Sequence, residues 1–387
     1  MAGGEPVAAD RGDPARRGAA GVALTSERAS PDVDPDSPPN PPGDRALRLA
    51  AIVCALILTL AGLSLARSVM TPVAFALFII ALVWPLQRRL KQHLPQLVAI
   101  LLTAAVALFA IGIGCWLVVW GFGGIAQWVI ANSARLQALY THLADLLEQR
   151  GLHAAELIAE QFNMSWLVGV MRGIGGSLQG IISFALVTFI FVILGLLELE
   201  PLGRRLRRIG NGDFGAGAID VAADIASRLQ TYMLVRFGMS VLTGLGFWAL
   251  TAAYGLDLSR EWGVIAFVLN FIPFIGSFIA TLLPTLFAAA QYESFSSAVW
   301  VFVGLNIIQF VVGSCIEPRV AGAAVSISPF MVLFAVFFWA MLWGIAGAFI
   351  GIPILIALVS LCAKNPATRG IAIALSADAA TDGRADR

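Results

Sequence analysis

The sequence predicts an all-α, polytopic integral membrane protein with about eight transmembrane helices, two of them broken, and an additional outer helical segment. Three observations lead there. Hydrophobic residues make up 59% of the 387 and charged residues only 13%, whereas a soluble domain carries about 25% charged residues; the mean hydropathy is +0.84. The apolar residues are gathered into runs of the length, roughly 20 residues, that crosses a hydrocarbon core about 30 Å thick. Two runs near the C-terminal end are interrupted by proline, glycine, asparagine and charge, and backbone freed in that way inside a bilayer must find partners in protein or in a water-filled cavity.

Residues 1–46 hold eight of the 18 prolines, with Asp32, Asp34 and Asp36 and almost no large apolar side chain, so no core can form there. They are expected to be a disordered cytoplasmic tail. The leader is too long and too acidic for a secretory signal, and is expected to stay attached. Spans 1–3 then occupy residues 47–120, at Leu49–Ala66, Val69–Leu86 and Leu97–Trp120. Residues 121–180 read as a periplasmic helical segment: Leu136, Leu139, Leu143 and Leu146 recur at helical spacing between Gln137, Asp145 and Glu148, an amphipathic stripe that packs on a second outer helix or on another protomer.

Spans 4–8 fall within residues 181–363, with a cytoplasmic loop at 200–236. They are Ile181–Leu199, Phe237–Gly255, Val264–Ala290, Phe295–Ile316 and Pro329–Cys362, the last being long enough for either a helical hairpin or a strongly bent helix. Residues 364–387 are small and polar and read as a second disordered cytoplasmic tail. Arg88, Arg89 and Lys91 follow the second span, and Arg204, Arg205, Arg207 and Arg208 follow the fourth. The positive-inside rule puts both loops, and both termini, on the cytoplasmic side.

Several function classes drop out. The net charge of +1 comes from dispersed bases, which is no nucleic-acid footprint. Cys54, Cys115, Cys315 and Cys362 sit within apolar runs without ligand spacing, and His93, His142 and His153 lie outside the spans; no metal or cofactor is expected. Gly210, Gly212 and Gly215 spell a dinucleotide-binding pattern but follow an arginine cluster instead of a strand. No nucleophile–base constellation appears, so an enzyme is not expected.

The candidates for transport chemistry lie in the two interrupted runs. Asn270, Pro273, Gly276 and Pro284 break the first. Glu317, Pro318 and Arg319 close the second, where proline should push Glu317 out of helical geometry and end the span. Charges at that depth cost about 2.5 to 3.5 kcal/mol each and usually face a cavity or a partner, although Glu317 and Arg319 can equally form an interfacial ion pair. Asn306 and Gln309 either bond between helices or face a path. Ser328 and Pro329 make a helix start whose positive end suits an anionic or hydroxylated solute. Gly347, Gly351 and Pro353 interrupt the last run, and Gly322 follows the second break.

The segments Asn270–Gly276 (N-F-I-P-F-I-G), Pro284, I-I-Q ending at Gln309, Ile316–Gly322 (I-E-P-R-V-A-G), Ser328–Pro329 and Trp343–Pro353 (W-G-I-A-G-A-F-I-G-I-P) together resemble the autoinducer-2 exporter (AI-2E) family of bacterial permeases. The likeness extends from about Leu49 to Cys362 in span order and length. Phe274 stands where that family often has tyrosine, and Ala323 where a basic residue often follows the glycine. The resemblance implies a carrier or facilitated exporter in a bacterial inner membrane, moving either a furanosyl signalling molecule or sodium against protons. The expected partners are therefore the lipid bilayer and a small polar solute or cation, with self-association open. On this reading Asn270 coordinates the solute or ion, Glu317 carries a proton or cation, Arg319 balances it, and Gly347 and Gly351 let helices slide; a scaffold without transport is the remaining alternative.

Overall fold

The computed structural model describes residues 42–132, 164–208, 213–321, 327–364 and 368–375. The helices in order are α1 (Pro42–Leu65), α2 (Arg67–Leu90), α3 (Gln96–Ala131), α4 (Met164–Leu206), α5 (Asp213–Ala253), α6 (Ser259–Leu269) and α7 (Ile275–Tyr292). They continue with α8 (Phe295–Phe310), prolonged by a π-helical turn over Val311–Ile316, then α9 (Glu317–Ala321), α10 (Pro329–Lys364) and α11 (Arg369–Leu375). No β-strand occurs among the described residues, and eight helices there are long and apolar enough to cross a membrane. The protein is thus an all-α polytopic membrane protein. Leu136 to Leu146, Gly210, Gly212 and Gly322, together with most of both tails, lie outside the described residues.

Of the described residues, 42–56 belong to a unit by themselves, in which the α1 side chains Leu49, Ile52 and Val53 are exposed. The rest, from Ile57 on, is a second unit. Its outward faces carry Leu101, Phe109 and Trp116 on α3 and Ile182, Leu186 and Leu194 on α4, all exposed. Such apolar surface would be untenable in water and is matched by lipid.

Inside that unit three apolar clusters hold the helices. One joins α2, α3 and α4 through Ala76, Ile80, Ala104, Val192 and Leu196. A second joins α5, α6, α7 and α8 through Phe247, Trp262, Phe287, Val301 and Leu305, with the Trp262 and Phe287 rings 5.1 Å apart at 66°. A third brings Phe78 of α2, Leu229 of α5 and Ile272 against Val336, Ile350 and Ile352 of α10. At the facing ends of α2 and α4 the Lys91 ammonium donates to Glu200 at 2.6 Å, consistent with both ends lying on one side of the bundle.

The chain path departs from the sequence reading in two places. Val264–Ala290 was expected to make one interrupted crossing; instead α6 and α7 form a re-entrant pair. Helix α6 has only 11 residues, about 16 Å of rise and half a hydrocarbon core. After the break, α7 runs back to where α6 began: the Tyr292 hydroxyl donates to the Tyr254 carbonyl at 2.7 Å, Gln291 Nε2 donates to the Gly255 carbonyl at 3.1 Å, and the Asp257 N–H donates to Gln291 Oε1 at 2.8 Å. The pair therefore enters and leaves on the same side of the bundle.

The second departure is α10. Gly344 has φ 66° and ψ −146°, values open to glycine and closed to most other residues, and the helix reverses there. A Cβ on Gly351 would lie 2.9 Å from the Ala335 carbonyl oxygen, and one on Gly347 would collide with the Trp339 carbonyl. Residues 16 apart cannot touch along a straight helix, so α10 is an antiparallel hairpin with Gly344 at its turn. Of the two alternatives the sequence left open, the hairpin is realised. Trp343 beside the turn donates its indole N–H to the Leu63 carbonyl at 3.2 Å, while Pro353 is buried inside the second arm.

Candidate functional site

The break between α6 and α7 is built from strained backbone. Asn270 still donates its N–H to the Ala266 carbonyl, and Ile272 donates to Leu269. Pro273, with no N–H of its own, cannot continue the ladder. Phe274 then takes φ 62° and ψ −61°, and the Ile275 N–H closes onto the Pro273 carbonyl at 2.7 Å. This is a γ-turn of the rare, positive-φ hand, and a phenylalanine held there stores on the order of 1–3 kcal/mol of strain. Gly276 makes the turn possible: a Cβ at that position would run into the Leu269 carbonyl. The Asn270 amide, buried to 5% exposure, donates to the Ser240 hydroxyl of α5 at 3.2 Å. Phe271 stacks on Phe349 of the hairpin at 5.8 Å, and Phe349 on Phe75 of α2 at 5.6 Å, so the break is clamped from both sides.

The second interruption corrects an expectation. Proline 318 was expected to end the span and put Glu317 outside helical geometry; Glu317 is helical, at φ −53° and ψ −48°, and its N–H reaches back five residues to the Val312 carbonyl. The π-turn inserts one residue of slack, so Pro318 arrives in the first turn of α9, where its missing N–H is tolerated. Pro318 still cannot donate to the carbonyls a turn earlier, at Gly313 and Ser314. Helical bulges of this kind are frequently found at functional sites.

Between the two interruptions lies a cavity of about 590 Å³. Thr231, Tyr232, Val235 and Arg236 of α5 form one wall, Asn270, Pro273, Phe274 and Ser277 a second, and Gln309, Gly313, Ser314 and Glu317 a third, with Val332 and Ile352 from the two hairpin arms. At its heart Arg236 Nη1 donates to both Glu317 oxygens, at 3.1 and 3.4 Å. The arginine side chain is 9% exposed and the glutamate 35%.

Four of the seven residues expected on the path therefore line one cavity: Asn270, Pro273, Gln309 and Glu317. Gly276 is not among the lining residues and packs on the Leu269 carbonyl instead. Asn306 is exposed and donates to the Phe302 carbonyl of its own helix. Arg319 is also exposed, and the base that meets Glu317 is Arg236, 81 residues away in sequence. Pro284 is buried within α7 without ending it, and Gly347 and Gly351 form tight contacts inside the hairpin rather than a separate sliding surface. Arg236, Tyr232 and Ser277 escaped the sequence reading. One signal was available: Tyr232, Arg236 and Ser240 recur every four residues, a polar stripe on an otherwise apolar helix.

A helical bundle of this length and apolarity, with a cavity that is walled by a re-entrant pair and a π-bulged helix and holds an arginine–glutamate pair, defines a polytopic membrane transporter. The comparisons agree and narrow it. The AI-2E family transporter model matches residues 53–364, and the chain belongs to that family. It is 25% identical over 336 residues to the AI-2 transport protein TqsA of Escherichia coli (strain K12), covering 85% of this chain and 96% of the relative. It is 26% identical over 330 residues to a Haemophilus influenzae chain named, provisionally, as a transport protein, covering 82% and 92% respectively. A provisionally named transport protein of Borreliella burgdorferi is 30% identical over 175 residues, about half of either chain.

Proposed function

We propose that this transporter is a secondary carrier or facilitated exporter that moves a small polar solute across a bacterial inner membrane. The observation that carries the reading is the cavity of about 590 Å³ between the two interruptions, within the 300–1,000 Å³ typical of small-molecule sites. Asn270 and Gln309 offer amides, Ser277 and Ser314 hydroxyls, and Arg236 and Glu317 a charge pair. The second interruption supplies the part that moves, since a π-turn differs from an α-helix by one residue of register, while the clamped first break holds its wall. On this reading both termini and the connection between α4, which ends at Leu206, and α5, which begins at Asp213, are cytoplasmic, the segment 121–180 faces the periplasm, and the tails at 1–46 and 364–387 take no part in the path.

Sodium or another cation exchanged for protons is the second reading, favoured by the single carboxylate, Glu317, that lines the cavity. Flux measured in proteoliposomes with a panel of polar solutes and cations at two pH values separates the two. A solute flux lost in Asn270→Ala and Glu317→Gln supports the carrier; cation-driven proton movement with no solute flux replaces it with the antiporter. No flux of any kind leaves a scaffold.

A further inference from the structure

Arg236 uses only one corner of its guanidinium. Both bonds to Glu317 leave from Nη1, and Nε is buried with no partner among the described residues. The edge formed by Nε and Nη2 is thus without a partner there, on an arginine that lines the cavity. A third donor stands nearby: Gln309 lines the same cavity, and its amide nitrogen is likewise buried and unpartnered among the described residues. Leaving a buried donor unsatisfied costs about 1–3 kcal/mol, more where the group is charged. These two donors stand on two different helices that wall one cavity.

A guanidinium edge presents two parallel N–H groups at the spacing of the two oxygens of a carboxylate. Resting on the Proposed function reading, and deepening it, we propose that the transported solute carries a carboxylate that docks on the Nε–Nη2 edge of Arg236 and takes a third hydrogen bond from Gln309, with Glu317 as the built-in competitor for the same arginine. A neutral polyol would satisfy single donors but not the paired geometry of that edge. The negative charge of Glu317 opposes an arriving anion, so entry loosens the Arg236–Glu317 contact. That contact joins α5 to the helix just beyond the π-turn, and loosening it links ligand arrival to movement of the second interruption.

The test uses the full chain in nanodiscs, titrated with sodium L-lactate against its uncharged amide, lactamide, with sodium chloride at matched ionic strength, reading the melting temperature and the apparent Kd it yields. Lactate should raise the melting temperature, while lactamide and chloride should not. Glu317→Gln, by removing the competitor, should tighten lactate about tenfold, and Arg236→Lys, which keeps the charge but lacks the fork, should weaken it about tenfold or more, as expected for one charge-assisted hydrogen bond gained or lost. Equal responses to lactate and lactamide, or no response to lactate in both the native protein and Glu317→Gln, overturn the proposal. Solute flux in proteoliposomes keeps the two readings apart: transport of ribose unaffected by lactate sinks the carboxylate and leaves the carrier, whereas absence of all flux sinks the carrier.

Discussion

Between Leu269 and Ile275 the chain leaves helical geometry altogether, whereas between Phe310 and Glu317 it never does. The first interruption is stiff: a γ-turn at Phe274, a proline without a donor and a glycine pressed on the Leu269 carbonyl admit little variation. The second is soft, since a π-turn differs from an α-helix by one residue of register. Both face one cavity. A membrane helix can thus present polar backbone either by breaking and being clamped or by bulging and staying free to re-form, and the clamped wall can hold a solute while the bulged wall yields to it.

The sharpest way to break the comparison is Gly276→Ala. Because the added methyl would enter the Leu269 carbonyl, the change should cost about 3 kcal/mol or more, seen as a loss of folded yield and a lower melting temperature in detergent; a normal melting curve would show the first break to be as pliable as the second. Asn270→Ala removes the buried bond to Ser240 and should cost about 1–2 kcal/mol, with solute flux reduced beyond the loss of folded protein. Pro318→Ala sharpens the other side: alanine restores an N–H that reaches Gly313 or Ser314, favours a continuous α-helix, and should stabilise the protein by about 1 kcal/mol while slowing flux. If flux in this variant stays at the native level, the π-turn has no part in transport. The smallest effect belongs to Asn306→Ala, whose side chain bonds only its own helix: stability within about 0.5 kcal/mol and native flux.

Much of this was legible in the residues. Composition and run length announce the membrane class and the span order, and Asn270, Pro273 and Gly276 mark the first break because proline and glycine act locally. Other features are not local. The direction of α7 is decided by bonds from Gln291 and Tyr292 to the turn at Tyr254–Asp257, and an apolar run carries no sign of which way it points. Pro318 looked like a stop because a π-turn, which excuses the missing donor, has no residue signature. The cytoplasmic loop expected at 200–236 extends to Arg236; since α5 runs unbroken from Asp213 to Ala253, that arginine is instead inside the helix, one turn from Tyr232 and one from Ser240. Arg319, next to Glu317 in the chain, took the pairing on paper that Arg236 holds in space.

The return of Tyr292 to the side of Tyr254 bears on any map of sidedness drawn with enzyme fusions. Counting apolar runs assigns opposite compartments to junctions after Gly255 and after Glu293. A reporter such as alkaline phosphatase, spliced at either junction, should instead give one and the same colour, because the stretch of chain separating them dips into the bilayer and comes back out.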